Sequence, residues 1–345
     1  MKFPRTKFFN CLNMTGHLPR AAALAGELLD SPWLASISIV SQYLFFLFYF
    51  GALKKKTTDD DDETRNDARV ITIRFAMQTL ACAVGIASSA LWLFFCDDEH
   101  DERDLYDGTT GKWKNAFETA FALVAIAERE FTENEEENYG LFLASLLRNV
   151  SFGCLVTILV YFGPIADATR RSRGGIVGAF QSLFGHHSVN AERYGWLVPA
   201  RDLVLAPFFE EFIFRGAVLA VLLGGGGVGV QRAVLLSPLL FGLAHVNHYF
   251  ALKKIYGRRK ALCAVLFQFS YTTAFGVLAS VVFWRCKAGL AGAWSLHASA
   301  NAFGAPDFRP FRTSGGLFTS HVLEKMCYVL GLVSAFAFVR SRIVA

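Results

Sequence analysis

Charge is scarce in this sequence. Asp, Glu, Lys and Arg make up 18% of the 345 residues, while apolar residues reach 53%. Soluble domains usually carry about 25% charged and about 45–50% apolar residues, so the pair of soluble domains that the length would allow is disfavoured. Paired cysteines are missing too. The seven present (Cys11, Cys82, Cys96, Cys154, Cys263, Cys286 and Cys327) form no CxxC, and five fall inside or at the ends of apolar stretches. That argues against a zinc ribbon or a disulfide framework. Gly-x-Ser-x-Gly and His-Glu-x-x-His are absent, and no cysteine sits in a recognisable nucleophile motif. Serine-hydrolase, cysteine-protease and zincin readings therefore lose their usual signatures. The glycine run 224–227 lacks P-loop spacing and its lysine, and reads as a turn. Finally, the net charge of +5 is not gathered into one basic stripe. Basic residues sit beside apolar segments, a pattern of membrane-flanking loops and not of nucleic-acid binding.

Long apolar runs are what the sequence does have. About 20 residues cross a hydrocarbon core, and runs of that order occur at 33–53, 70–96, 141–163, 200–223, 230–250, 261–284, 289–303 and 321–339. The expected fold is all-α, a polytopic membrane helical bundle with about eight transmembrane helices. Its parts are an N-terminal tail (1–32), N-terminal transmembrane helices with polar loops (33–199) and a C-terminal set carrying the chemistry (200–345), within one integral membrane domain. Residues 59–63 form an acidic loop, 164–199 a long polar connection and 253–260 a basic loop. The apolar piece 116–127 is too short to span and reads as a surface or re-entrant helix.

Polar side chains inside such runs cost several kcal/mol and normally face a cavity or one another. Three clusters stand out. In the first, Glu210-Glu211-Phe212-Ile213-Phe214-Arg215, Glu211 and Arg215 are spaced i,i+4 and can pair on one helix face. Glu210 points about 100° away. It is left to set its protonation by its surroundings, and desolvation moves a carboxylate toward general-base range. A solvated helix cap at an interface is the plainer reading. In the second, His245 and His248 are spaced i,i+3; together they suit half of a metal site, or an acid/base group beside a carboxylate. An interfacial histidine cluster is the plainer reading. In the third, His297 and Asn301 lie i,i+4 in a small-residue segment. They could supply two oxyanion donors, or simple interhelical hydrogen bonds. All three clusters in one chain make up a carboxylate, a histidine and a donor pair, the parts needed for water-mediated amide hydrolysis.

Glu210-Glu211-x-x-x-Arg215, Phe241-x-x-x-His245 and His297-x-x-x-Asn301 resemble, in order and spacing, the three motifs of the type II CAAX prenyl endopeptidases within the wider glutamate intramembrane protease group. Phe267-Gln268-Phe269-Ser270-Tyr271-Thr272, followed by Phe275-Gly276, resembles the eukaryotic branch. The likeness covers roughly 200–306. Asn247 departs from it, standing where eukaryotic members often have another His. The resemblance implies a roughly eight-helix, multi-pass protein of the endoplasmic reticulum membrane. Such a protein would remove the last three residues from farnesylated or geranylgeranylated CAAX proteins such as small GTPases, with membrane lipid as its other partner and no nucleic acid. Carried over, Glu210 and His245 activate water, His297 and Asn301 stabilise the oxyanion, and Glu211, Arg215 and His248 support the site. No metal and no cofactor are expected. Phe267, Phe269, Tyr271 and Phe275 are candidates for a prenyl groove, against ordinary helix packing. The competing readings are a metal-dependent version of the same protease, a non-proteolytic scaffold and a proton-coupled transporter. The scaffold predicts lost motif residues, and all six are present; the transporter predicts an internal repeat of broken helices, and none is seen in the sequence.

Overall fold

The computed structural model describes residues 32–52, 67–96, 135–224, 230–304 and 322–344, and among these there is no β-strand. Residues 1–31, the acidic 59–63 loop, the 116–127 piece and glycines 225–227 lie outside them. The first helices are α1 (Pro32–Ala52), α2 (Ala68–Cys96), α3 (Glu135–Val160), α4 (Phe162–Arg171) and α5 (Gly175–Tyr194). Five segments from Leu197–Ala200 to Leu219–Gly224 then follow without a break as one run, α6 (197–224). The remaining helices are α7 (Val230–Ala244), α8 (His248–Tyr256), α9 (Arg258–Ser280, continuing to Arg285), α10 (Gly289–Phe303) and α11 (Val322–Val344).

Each of the eight apolar runs is helical over most of its described length, and the chain is a polytopic helical membrane protein. The count of clear spans is lower than eight. Among the described residues four helices are long and apolar enough to cross a membrane, or five if α7 and α8 act as one bent span. The shortfall has physical reasons. α10 has 15 residues, about 22 Å at 1.5 Å per residue, short of a core of about 30 Å. α6 carries Arg201, Asp202, Glu210, Glu211 and Arg215, too much charge for a lipid-facing helix. Both are inner elements packed among the other helices.

Three boundaries differ from the sequence reading. The polar connection 164–199 is mostly helix, as α4 and α5, and the break drawn at 199/200 falls inside α6. α4 buries Gly163, Pro164, Ile165 and Asp167 in its first turns while Arg170 and Arg171 stay outside, so its buried N-terminal end sustains it despite its polar composition. Next, the run 230–250 is not one helix. His245, Val246 and His248 donate backbone N–H groups three residues back, at 3.1, 3.1 and 3.2 Å. This tight turn bends α7 from α8 by 45°. Lastly, the basic stretch 253–260 is helical, with a corner at Gly257, φ +78°, a value that favours glycine.

Small residues let the inner helices approach closely. α10 packs along α3, where a Cβ on Gly153 would collide with Ser295 Oγ and the Gly292 carbonyl. Close backbone contact through small residues is how membrane helices gain packing energy when lipid removes the hydrophobic drive. Thr157 of α3 donates to the Leu296 carbonyl at 3.1 Å, which fixes α10 beside His297. The largest core cluster gathers Ile39, Val40 and Tyr43 of α1, Phe209, Ile213 and Phe214 of α6, Phe241 of α7 and Leu290 of α10. It lies directly behind the charged groups of α6.

Candidate active site

Within α6, Arg201–Leu205 and Phe212–Val218 are π-helical and flank the α-helical Ala206–Glu211. Such wide turns shift the backbone register and are frequent at functional sites. The first of them leaves carbonyls for side chains of α10: Trp294 Nε1–H donates to Val204 O at 2.9 Å, and Asn301 Nδ2–H to Asp202 O at 3.0 Å. α10 is thereby pinned along the segment that presents the two glutamates.

Those glutamates occupy unlike places. Glu211 is fully buried and Arg215 is 1% exposed. Arg215 Nη1–H donates to Glu211 Oε1 at 3.0 Å, and its Nη2–H donates to the Gly276 carbonyl at 3.3 Å. A Cβ on Gly276 would stand 3.2 Å from Arg215 Nη2 and 2.8 Å from Pro238 Cβ, so glycine keeps this approach open. The guanidinium also lies 4.7 Å above the Phe241 ring, a cation–π contact. His297 Nδ1 lies 2.7 Å from the same Glu211 Oε1. The Glu211 carboxylate, paired with Arg215, accepts, so Nδ1 carries the proton. The other face of His297 turns to Glu210, with Nε2 3.8 Å from Glu210 Oε2. Arg215, Glu211, His297 and Glu210 thus form one chain of polar groups running from the core to a cavity.

The cavity holds about 310 Å³ and is walled by Glu210, His245, His248, Asn301, Asp202 and Tyr43 among others. Its histidine is oriented by the bend between α7 and α8. His245 Nδ1 lies 2.8 Å from the Phe241 carbonyl; a carbonyl only accepts, so Nδ1–H donates and a neutral ring keeps its lone pair on Nε2. His248 stands 5.8 Å away, ring to ring and perpendicular. Its Nδ1–H donates to Gln268 Oε1 at 3.0 Å. Among the described residues no group of three or more His, Cys, Asp or Glu side chains is arranged to hold a metal ion.

All seven polar residues picked from sequence therefore converge, in two layers. Glu210, His245, His248 and Asn301 wall the cavity, while Glu211, Arg215 and His297 stand behind it. The two expected oxyanion donors both carry other bonds: His297 Nδ1 serves Glu211, and one Asn301 N–H serves Asp202. The four aromatics do not share one groove. Phe267 and Tyr271 pack on each other at 5.5 Å, Phe275 sits 5.0 Å from His297, and Phe269 lines a second, apolar cavity of about 370 Å³. Helix geometry explains this: 267, 271 and 275 follow at i,i+4 along one face, and 269 lies opposite. Sequence reasoning missed Tyr43 and Asp202 as cavity residues; neither belongs to a motif, and only the tertiary fold places them.

Residues 193–303 match the family model described as "Type II CAAX prenyl endopeptidase Rce1-like". The chain is 30% identical over 187 residues to "CAAX prenyl protease 2" of Arabidopsis thaliana, covering 49% of this chain and 57% of that protein. It is 29% identical over 173 residues to "CAAX prenyl protease 2" of Homo sapiens, covering 48% and 49% respectively. The chain thus spans about half the length of the curated relatives it matches. No solved structure matches it. The matched stretch runs from the end of α5 through α10 and holds both glutamates, Arg215, the three histidines and Asn301, so every polar residue of the site picked from sequence falls inside the part of the chain that is similar to that family.

Proposed function

We propose that the chain is an intramembrane endopeptidase that removes the C-terminal tripeptide from prenylated CAAX proteins, small GTPases among them, at the endoplasmic reticulum membrane. The observation that carries this reading is the joint exposure of Glu210, His245 and Asn301 on one cavity inside a membrane bundle. A water in that cavity would lie between the Glu210 carboxylate and the Nε2 lone pair of His245. Glu210 takes one proton as the water oxygen bonds to the scissile carbonyl carbon, and His245 holds the attacking water. The carbonyl oxygen becomes an oxyanion, toward which Asn301 directs its remaining N–H. Collapse breaks the C–N bond, and the proton on Glu210 passes to the leaving amine. His297, anchored by Glu211, stands beside Glu210, and once protonated it adds its Nε2–H to the donors. The names of the matched relatives agree with this chemistry, and a Glu–His arrangement of this kind needs no metal if donors hold the oxyanion.

A prenyl chain would bring the substrate cysteine to membrane depth. The second cavity suits that chain. It is lined only by apolar and aromatic residues, including Leu243, Val246, Leu266 and Phe269, and it shares Val246 with the turn that carries His245. Purified protein is expected to release the tripeptide from a farnesylated CAAX peptide and to leave the unprenylated twin intact, as read by mass spectrometry. Equal cleavage of both would leave a membrane protease without prenyl selectivity. Filling the second cavity with Leu266→Trp should displace a few methylenes of the chain, at about 0.8 kcal/mol each. The KM for the farnesylated peptide is expected to rise about tenfold with kcat unchanged; an unaltered KM would move the prenyl site elsewhere.

A further inference from the structure

Resting on that reading, we infer that Tyr43, on α1 and outside the matched domain, is an oxyanion donor in the cavity. The two donors picked from sequence are partly spent, since His297 Nδ1 is held by Glu211 and one Asn301 N–H by Asp202. An oxyanion in a site closed to bulk water needs preorganised donors, and neutral His297 offers none from Nε2. Tyr43 walls the same cavity as Glu210, His245 and Asn301. It is 2% exposed, and buried phenols normally find a partner for the hydroxyl. What reaches it is a donor: Gln78 Nε2–H points at the Tyr43 oxygen at 3.5 Å. That bond occupies a lone pair and leaves the phenolic hydrogen without an acceptor among the described residues. The ring is locked edge-on against Phe214, with centroids 6.2 Å apart and planes at 81°. Phe214 follows Glu210 by one helical turn, so the hydroxyl is held in register with the base. Its proton stays on oxygen throughout; Tyr43 only donates a hydrogen bond to the tetrahedral intermediate, beside the free N–H of Asn301.

The test is Tyr43→Phe in the full-length protein, which removes the hydroxyl and keeps the contact with Phe214. With a farnesylated CAAX peptide, kcat is expected to fall about 100-fold with KM within about twofold, the signature of an interaction made only in the transition state. A farnesylated peptide with a phosphinate in place of the scissile amide should lose affinity by about the same factor. The thermal midpoint should not move. A residue that merely packs would leave both kcat and phosphinate affinity unchanged, and that result overturns the assignment while the proposed function stands. A wild-type protein that cleaves no prenylated peptide overturns the function, and this assignment with it. If Tyr43→Phe does not fold, Gln78→Leu leaves the hydroxyl present but unanchored. A loss of about fivefold in kcat at constant KM then supports the role, and full activity overturns it.

Discussion

Glu210→Gln is expected to remove turnover of a farnesylated CAAX peptide almost completely, by about 1000-fold or more, in a protein that still folds. General-base catalysis is worth roughly 100- to 10,000-fold, and an amide cannot take the proton of the attacking water. The fold should tolerate the change because the Glu210 side chain is 23% exposed at the cavity, whereas that of Glu211 is fully buried. Among the described residues its nearest ionisable partner is His297, with Nε2 at 3.8 Å, and Gln keeps the size and shape of the side chain at that contact. The thermal midpoint of Glu210→Gln should therefore lie close to the wild type, and the substrate KM should change little. Near-normal turnover in Glu210→Gln, with Glu211→Gln alone inactive, would exchange the roles assigned to the two carboxylates.

Local spacing carried much of this site. The pairing of Glu211 with Arg215 is an i,i+4 contact and was readable from sequence, and the structure shows it at 3.0 Å. The bond between Glu211 and His297 crosses 86 residues, and no local period encodes such a contact. The four candidate groove aromatics divide between two sides of one helix, because positions 267, 269, 271 and 275 cannot share one helix face. The π segments were hidden for another reason: no residue pattern marks a wide turn, and the two carbonyls that α10 claims in the first of them, through Trp294 and Asn301, are seen only in the tertiary fold. The bend at His245 begins at Gly242, whose carbonyl accepts from His245 N–H, but an isolated glycine inside an apolar run does not by itself announce a bend. Tyr43 shows the same limit, since a tyrosine in an apolar helix carries no motif until another helix brings a cavity to it.

Arg215→Met is expected to be the most destabilising of these substitutions, and a second change should partly repair it. Glu211 and Arg215 are both buried, and Glu211 Oε1 accepts from Arg215 and His297 while Oε2 has no hydrogen-bond partner among the described residues. Without the guanidinium, the carboxylate would be left in the core with His297 as its sole donor. Breaking a buried pair on one side typically costs about 3–5 kcal/mol, because the remaining charge is uncompensated. Arg215→Met also gives up the cation–π contact with Phe241 and the bond to Gly276. Replacing both charges, as in Glu211→Leu with Arg215→Met, removes the uncompensated charge, and apolar replacements of whole buried pairs are often neutral or stabilising. The double variant should therefore melt above Arg215→Met alone in the same detergent. Activity should follow the opposite logic. His297 loses its Glu211 anchor in the double variant, so the imidazole beside Glu210 is no longer held in place and turnover should stay low although the fold recovers. A double variant that melts no higher than Arg215→Met would mean that packing around the guanidinium, and not the stranded charge of Glu211, sets the stability of this layer.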